Sequence, residues 1–218
     1  MQKRRQFIKM TFGFITGMGV LLSPIFKGLQ VVYGKAQKII LPRDTDRESL
    51  ITKNPAELDT TNLRITPLKD FQTMGESDYE VNLDPWRLEV TGRVENPLNL
   101  TYAQTLALPS IERNVLLICP GVFANHGAWK GISMGKLLER AKMDKSVTHV
   151  TFSGPKAGSG YEERFPIEDV LSDKVFLAYR VNGETLPEKH GFPLRVVAEG
   201  YYGSNWVKYV YKVTVEKA

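Results

Sequence analysis

The sequence predicts an α+β fold that is mainly mixed β-sheet with a few short helices. Short runs of strand type recur between residues 86 and 215, and turn signals such as Asn96-Pro97 and Asn182-Gly183 separate them. Helical spacing of apolar residues is confined to short segments. This mixture is typical of an α+β domain rather than of a helix bundle.

The first expected elements come from local patterns. Residues 86–92 alternate apolar and polar side chains, as a half-buried strand does. Thr101 and Gln104 have the spacing of a capping box, which predicts a short helix to about Leu108. Residues 115–118 form a continuous apolar strand that stops at Cys119, because proline and glycine follow it.

The later elements follow the same signals. Ser133 is a suitable N-cap for a helix that ends near Ala141. A glycine-rich loop at 154–160 lacks the G-K-[ST] ending of a phosphate loop, so a turn is expected there. The remaining expected elements are strands at 147–152, 175–179, 195–198 and 207–215 and a short helix at 167–171.

The composition restricts the class of protein. The chain has 218 residues, 42% hydrophobic and 24% charged, as globular proteins do. The net charge is +5, but part of this excess lies in the first ten residues, and no basic stripe is interleaved with aromatic residues. Nucleic-acid binding is therefore not expected.

The first 36 residues read as an export signal. Residues 3–9, KRRQFIK, are basic, and the apolar run TFGFITGMGVLLSPIF follows them. The paired arginines resemble a twin-arginine (Tat) signal, which implies export of a folded protein by the Tat translocase. An uncleaved N-terminal anchor is the alternative. Residues 37–83 are polar and irregular, and we expect an extended arm packed on a domain formed by residues 84–218.

The single cysteine, Cys119, is the first candidate for chemistry. In an oxidising compartment an unpaired thiol is either buried and inert or bonded to a ligand. A cysteine nucleophile paired with His126 or His190 is formally possible, but nothing in the spacing favours it. The three histidines are too scattered to predict a zinc site.

Several motifs in order resemble the sulfite oxidase superfamily. They are Ile118-Cys119-Pro120-Gly121, Gly127-Ala-Trp129-Lys-Gly131, Leu137-Leu138, His190-Gly-Phe-Pro-Leu-Arg195 and Val207-Lys208. The resemblance covers about residues 84–215. It implies a sulfite-oxidase-type molybdopterin-binding fold, with residues 84–218 as an oxidoreductase molybdopterin-binding domain.

The resemblance also implies a molybdenum-molybdopterin cofactor (Mo-MPT), with Cys119 as the metal ligand and catalytic residue. Soft thiolate ligation suits such a metal centre. Arg195 and Lys208 would contact the cofactor phosphate. Asn125, His126 and Trp129 either line the substrate side or belong to loop structure. The implied cofactor-binding residues are Gln72, Thr73, Ser153, His190, Arg195, Trp206, Val207 and Lys208.

The implied activity is two-electron oxygen-atom transfer on a small-molecule substrate, such as a sulfoxide, sulfite or a related compound, in the periplasm. No haem motif C-x-x-C-H occurs, so we expect a separate electron-transfer partner, a cytochrome or a quinol-linked membrane subunit. The stretch after Cys119 lacks the arginines that gather sulfite in sulfite oxidases, which argues against an anionic pocket. The alternative is a non-catalytic exported binding module that keeps the fold. The protein would be membrane-tethered if the leader were not cleaved.

Overall fold

The computed structural model describes residues 37–77, 79–155 and 161–217. The predicted leader and most of the glycine-rich loop lie outside the described residues. None of the helices in the described ranges is long and apolar enough to cross a lipid bilayer.

One five-stranded sheet is antiparallel and carries the strand that ends at the cysteine. Strand β9 (Val175–Val181) pairs with β10 (Glu184–Thr185) and β11 (Arg195–Ala198). It also pairs with β6 (Phe123–Ile132), which pairs with β5 (Ser110–Cys119) along its whole length. The order is therefore β10-β9-β6-β5, with β11 added on β9.

The second five-stranded sheet is mixed. Strand β12 (Lys212–Glu216) runs parallel to β3 (Leu88–Gly92) and antiparallel to β7 (His149–Ser153). The flanking strands are β4 (Leu98–Leu100) and β8 (Glu162–Pro166), which gives the order β4-β3-β12-β7-β8. A small parallel pair, β1 (Ile39–Ile40) and β2 (Leu58–Asp59), lies in the N-terminal part of the described chain.

Three short α-helices occur in the described residues: α1 (Tyr102–Leu106), α2 (Met134–Arg140) and α3 (Ile167–Leu171). The predicted capping box is present, because Thr101 and Gln104 accept reciprocally from each other's backbone N–H. Ser133 caps α2. Short 3₁₀ helices span Arg47–Leu50, Pro55–Glu57, Leu68–Asp70, Glu188–His190 and Gly203–Asn205. The α+β prediction, mainly sheet with few helices, is confirmed.

The two longest strands that the sequence patterns missed are β6 and β8. Strand β6 reads FANHGAWKGI, with small and polar residues and no alternation, yet it lies between β5 and β9 and is almost wholly buried. Strand β8 becomes a strand only through its pairing with β7. The predicted strand at 207–215 is wrong at its start, since β12 begins at Lys212 and Tyr209 has a φ of 58°.

The apolar run in β5 is explained by two hydrophobic clusters. Val115 and Leu117 point into the main core, whereas Leu116 and Ile118 point to the other face of the sheet. That other face is covered by leucines of the N-terminal segment, which are Leu41, Leu50, Leu58 and Leu63. Because strand side chains alternate between faces, a strand covered on both sides must be apolar at every position.

Candidate functional site

A cavity of about 390 Å³ opens beside Cys119 at the end of β5. The strand stops there because Pro120 has no N–H and Gly121 adopts a φ of 72°. The cavity brings together most of the side chains singled out in the sequence. Those in its wall are Gln72, Thr73, Cys119, Asn125, Trp129, His190, Arg195, Trp206 and Lys208.

Cys119 is half-buried and is the only cysteine of the chain. Its thiol donates to the thioether sulfur of Met74 over 3.7 Å. Burial raises the pKa of the thiol, which favours its neutral form. No hydrogen bond joins this thiol to a histidine within the described ranges, so a cysteine–histidine nucleophile pair has no geometric support.

Arg195 is a buried cation without a carboxylate partner among the described residues; its exposed fraction is 4%. Its guanidinium carbon lies 5.2 Å from the ring centroid of Trp129 and 5.3 Å from that of Trp206. Its Nη1 donates to the carbonyl of His190 at 3.0 Å. Burial lowers the pKa of Arg195 to about 9, which leaves it charged at neutral pH. A buried charge held this way favours an incoming anion.

His190 lies next to this charge. The side chain is 1% exposed, and its Nε2 has no hydrogen-bond partner. Burial, followed by the charges of Arg195, Lys189 and Lys208, lowers the pKa of His190 to about 3. The imidazole is therefore neutral at pH 7, and its unpaired nitrogen is a polar atom that a ligand of the cavity can satisfy.

Lys208 holds the segment that closes one side of the cavity. We call residues 71–76 the strap. The Lys208 Nζ donates to the Thr73 hydroxyl at 2.7 Å and to the carbonyls of Met74 at 3.1 Å and Glu76 at 2.8 Å. It also contacts the carbonyl of Lys189 at 2.9 Å. Burial, followed by the charge of Arg195, lowers the pKa of Lys208 to about 8.

The rest of the strap is fixed from both ends. Asn125 donates to the carbonyl of Gln72 at 2.8 Å and accepts from its N–H at 3.3 Å. At the other end, the Tyr209 hydroxyl donates to the backbone carbonyl of Glu76 at 3.2 Å, and the Tyr161 hydroxyl donates to the side-chain carboxylate of Glu76 at 3.1 Å. The family resemblance implied Gln72 and Thr73 as cofactor-binding residues, but it gave no such role to Met74, Tyr161 or Tyr209.

Three of the sequence candidates lie elsewhere. Ser153 donates to Glu162 across β7 and β8, and Val207 is fully buried with its carbonyl bonded to the N–H of Val196. His126 is fully buried and its backbone N–H donates to Thr66. None of these three described residues is in the wall of the cavity.

Residues 75–218 match the family model described as "Oxidoreductase molybdopterin binding domain". The chain is similar to the protein-methionine-sulfoxide reductase catalytic subunit MsrP of Gluconobacter oxydans, with 32% identity over 144 residues, or 59% of this chain and 46% of that protein. It is also similar to the NADH nitrate reductase of Lotus japonicus, with 31% identity over 61% of this chain and 18% of that protein. The matched region thus spans less than half of these curated relatives.

Among solved structures, the sulfane dehydrogenase SoxCD from Paracoccus pantotrophus has the same fold. The TM-score is 0.65 at 24% sequence identity, covering 85% of this chain and 54% of that chain. At this identity the likeness concerns the fold, which is the one expected from the sequence.

Proposed function

The chain belongs to the oxidoreductase molybdopterin-binding domain family, and on that premise we propose that it is an exported molybdenum-cofactor oxidoreductase. The proposed reaction is two-electron oxygen-atom transfer on a small sulfur substrate, a sulfoxide, sulfite or a related compound. The observation that carries the proposal is Arg195, a buried cation without a carboxylate partner in the described chain, in the same cavity as the lone thiol.

The donors in the cavity fit a molybdenum-molybdopterin group. A phosphate-bearing group would satisfy the Arg195 guanidinium, whose planar N–H donors suit phosphate oxygens. The unpaired Nε2 of His190 would gain a partner from the same group. The soft sulfur of Cys119 suits molybdenum, and the thiol would release its proton on ligation.

The other residues of the cavity position these donors. Trp129 and Trp206 hold the Arg195 guanidinium by cation–π contacts. Lys208 fixes the strap, and its four oxygen contacts already exceed its three hydrogens. We therefore propose Arg195 as the main phosphate ligand, with Lys208 contributing only where a phosphate oxygen replaces one of its present partners. Gln72 and Thr73 would then meet the pterin from the strap.

The cofactor, when bound, supplies two-electron oxygen-atom transfer chemistry. The chain's part is to hold Cys119 at a rigid strand end, to bury Arg195 away from water and to shape the entrance for the substrate. A rigid element places a ligand more precisely than a loop. Because His190 is neutral at pH 7, Arg195 rather than His190 carries the positive charge at the proposed phosphate site.

Export and partners belong to the same proposal. The basic and apolar pattern of residues 3–26 supports export by the Tat translocase to the periplasm, with tethering to the membrane if the leader stays attached. We propose a separate electron-transfer partner, a cytochrome or a quinol-linked membrane subunit. One relative is named a protein-methionine-sulfoxide reductase, which favours a sulfoxide substrate for this chain.

Elemental analysis of exported, purified protein tests the proposal. We expect stoichiometric molybdenum in the wild type and turnover of a sulfoxide with a reduced dye as electron donor. The Cys119→Ser variant should keep its circular dichroism spectrum and lose turnover, because the change removes a metal ligand and little volume. Ser49→Ala, at an exposed 3₁₀ helix, is the control and should match the wild type. Wild-type protein without molybdenum, or unchanged turnover in Cys119→Ser, would exclude the proposal.

A further inference from the structure

Met74 lies against the sulfur of Cys119 and is nevertheless 54% exposed. On the loop after Cys119, Val122 is also exposed, by 46%. Met74 thus exposes an apolar side chain at the cavity wall, and Val122 exposes another three residues after Cys119. We infer that Met74 is a specificity-determining residue that admits uncharged sulfur groups to Cys119 in preference to hydrated anions. This inference rests on the proposed function and deepens it.

The position of Met74 is set by its backbone. Its carbonyl accepts from Lys208, and the same ammonium group donates to Thr73, the residue before Met74, and to Glu76, two residues after it. Gly75 follows with a φ of 77°, a turn that glycine makes without strain. The thioether is therefore presented to Cys119 by a fixed strap, although solvent reaches its other side.

The entrance offers little to an anion. Met74 and Pro120 in the cavity wall carry no side-chain hydrogen-bond donor, so an oxyanion passing them would lose water without replacement. The hydrogens of Lys208 are already directed at four oxygens.

An uncharged sulfur group meets a different environment. A thioether or sulfoxide needs less dehydration than an anion, and its polarisable sulfur packs well against methionine. The contact between Met74 and Cys119 already shows that a thioether sulfur fits at this distance from the thiol. The strap thus favours neutral substrates, while Arg195 in the same cavity favours anions, so the role of Met74 is measured as the difference between the wild type and the Met74 variants.

Alkylation of the cofactor-free full-length chain tests the inference directly, because Cys119 is the only thiol. Iodoacetamide and iodoacetate are similar in size and differ in charge. For each reagent the rate of alkylation is measured on the folded protein and on the protein unfolded in urea. The ratio of the iodoacetamide rate to the iodoacetate rate in urea is the intrinsic ratio of the two reagents. In the folded wild type we expect this rate ratio to be roughly tenfold higher than the intrinsic ratio, because the anionic reagent loses a hydrogen bond to water that the protein does not replace.

Three variants decide the role of Met74. Met74→Ala should react faster with both reagents and lose most of the extra preference, whereas Met74→Leu, which keeps the volume, should behave like the wild type. Met74→Lys should shift the preference towards iodoacetate. Leu171→Ala, an exposed apolar residue on α3, is the control and should change neither rate. Wild-type preference retained in both Met74→Ala and Met74→Lys would overturn the inference.

The loaded enzyme separates this inference from the proposed function. We expect Met74→Lys to lower the KM for sulfite relative to that for dimethyl sulfoxide, with a smaller effect on kcat. If the purified protein lacks molybdenum, the proposed function is excluded. The ratio of the two alkylation rates still tests the role of Met74 in that case. If the loaded protein is active but substitution of Met74 does not change the ratio of the two alkylation rates, only this inference is wrong.

Discussion

The ammonium nitrogen of Lys208 lies 2.7 Å from the hydroxyl oxygen of Thr73, a residue 135 positions away in the sequence. With its three carbonyl partners, this contact ties the strap to the segment that carries His190. A lysine that the motif Val207-Lys208 assigns to phosphate thus organises the cavity wall. Three predictions concern groups of this wall, and a fourth concerns the pairing of β6 with β9.

Replacing Thr73 by valine should loosen the strap. The change keeps the volume and removes the hydroxyl that Lys208 contacts, so we expect a loss of about 0.5–1.5 kcal/mol in the free energy of unfolding. Amide hydrogen exchange at residues 74–77 should become faster. Thr45→Val, which removes an exposed hydroxyl bonded to Pro42, is the control and should leave exchange in the strap unchanged. Unchanged exchange in Thr73→Val would show that the hydroxyl does not hold the strap.

Arg195→Met should lower the stability only slightly and the cofactor content strongly. The free energy of unfolding of cofactor-free protein should fall by less than about 1 kcal/mol, because loss of the cation–π contacts is offset by relief of a buried charge. Molybdenum retained through gel filtration should drop at least roughly tenfold, as loss of a charged hydrogen bond predicts. Arg43→Met, at an exposed position, is the control. A loss of stability with full molybdenum content would make Arg195 a structural residue only.

Acid should destabilise the protein through His190. Its folded pKa is about 3, below the ordinary value of 6.5, so between these pH values the unfolded chain binds a proton that the folded chain does not. The free energy of unfolding therefore falls as the pH is lowered through this window, by up to about 1.4 kcal/mol per pH unit.

Urea denaturation of cofactor-free protein from pH 7 to pH 4.5 measures this slope. His190→Gln should flatten it, because glutamine does not titrate. His149→Gln, at a partly exposed histidine, should keep the wild-type slope. Equal slopes in the wild type and His190→Gln would mean that the folded protein tolerates a protonated His190.

Gly131→Ala should be strongly destabilising. A Cβ at this position would lie 2.1 Å from the carbonyl oxygen of Leu177, where the register between β6 and β9 shifts. Neither backbone can move without breaking the sheet, so we expect a loss of about 2–3 kcal/mol. Gly135→Ala in α2, where the nearest atom is 3.2 Å away, is the matched control and should stay within about 1 kcal/mol. Thermal unfolding of the two variants checks the difference.

The elements that sequence patterns predicted correctly depend on local interactions. The capping box at Thr101 and Gln104, the N-cap at Ser133 and the hairpin turn at Asn182-Gly183 each involve neighbours in sequence. Strand β6 was missed because its burial comes from β5 and β9, and its own composition shows no strand pattern. Tyr209 was assigned to a strand although its left-handed backbone interrupts the ladder.

The sequence by itself determined that the only thiol stands where a buried strand meets Pro120 and Gly121, and which residue types could hold a phosphate. Only the tertiary structure decided which of them share a cavity, because burial and desolvation depend on chain segments far apart in sequence. Arg195 lies between tryptophans from positions 129 and 206, and Met74 reaches Cys119 across 45 residues. The local sequence around Ser153 and Val207 does not distinguish them from the residues that line the cavity. Their position outside the cavity wall is decided by tertiary packing.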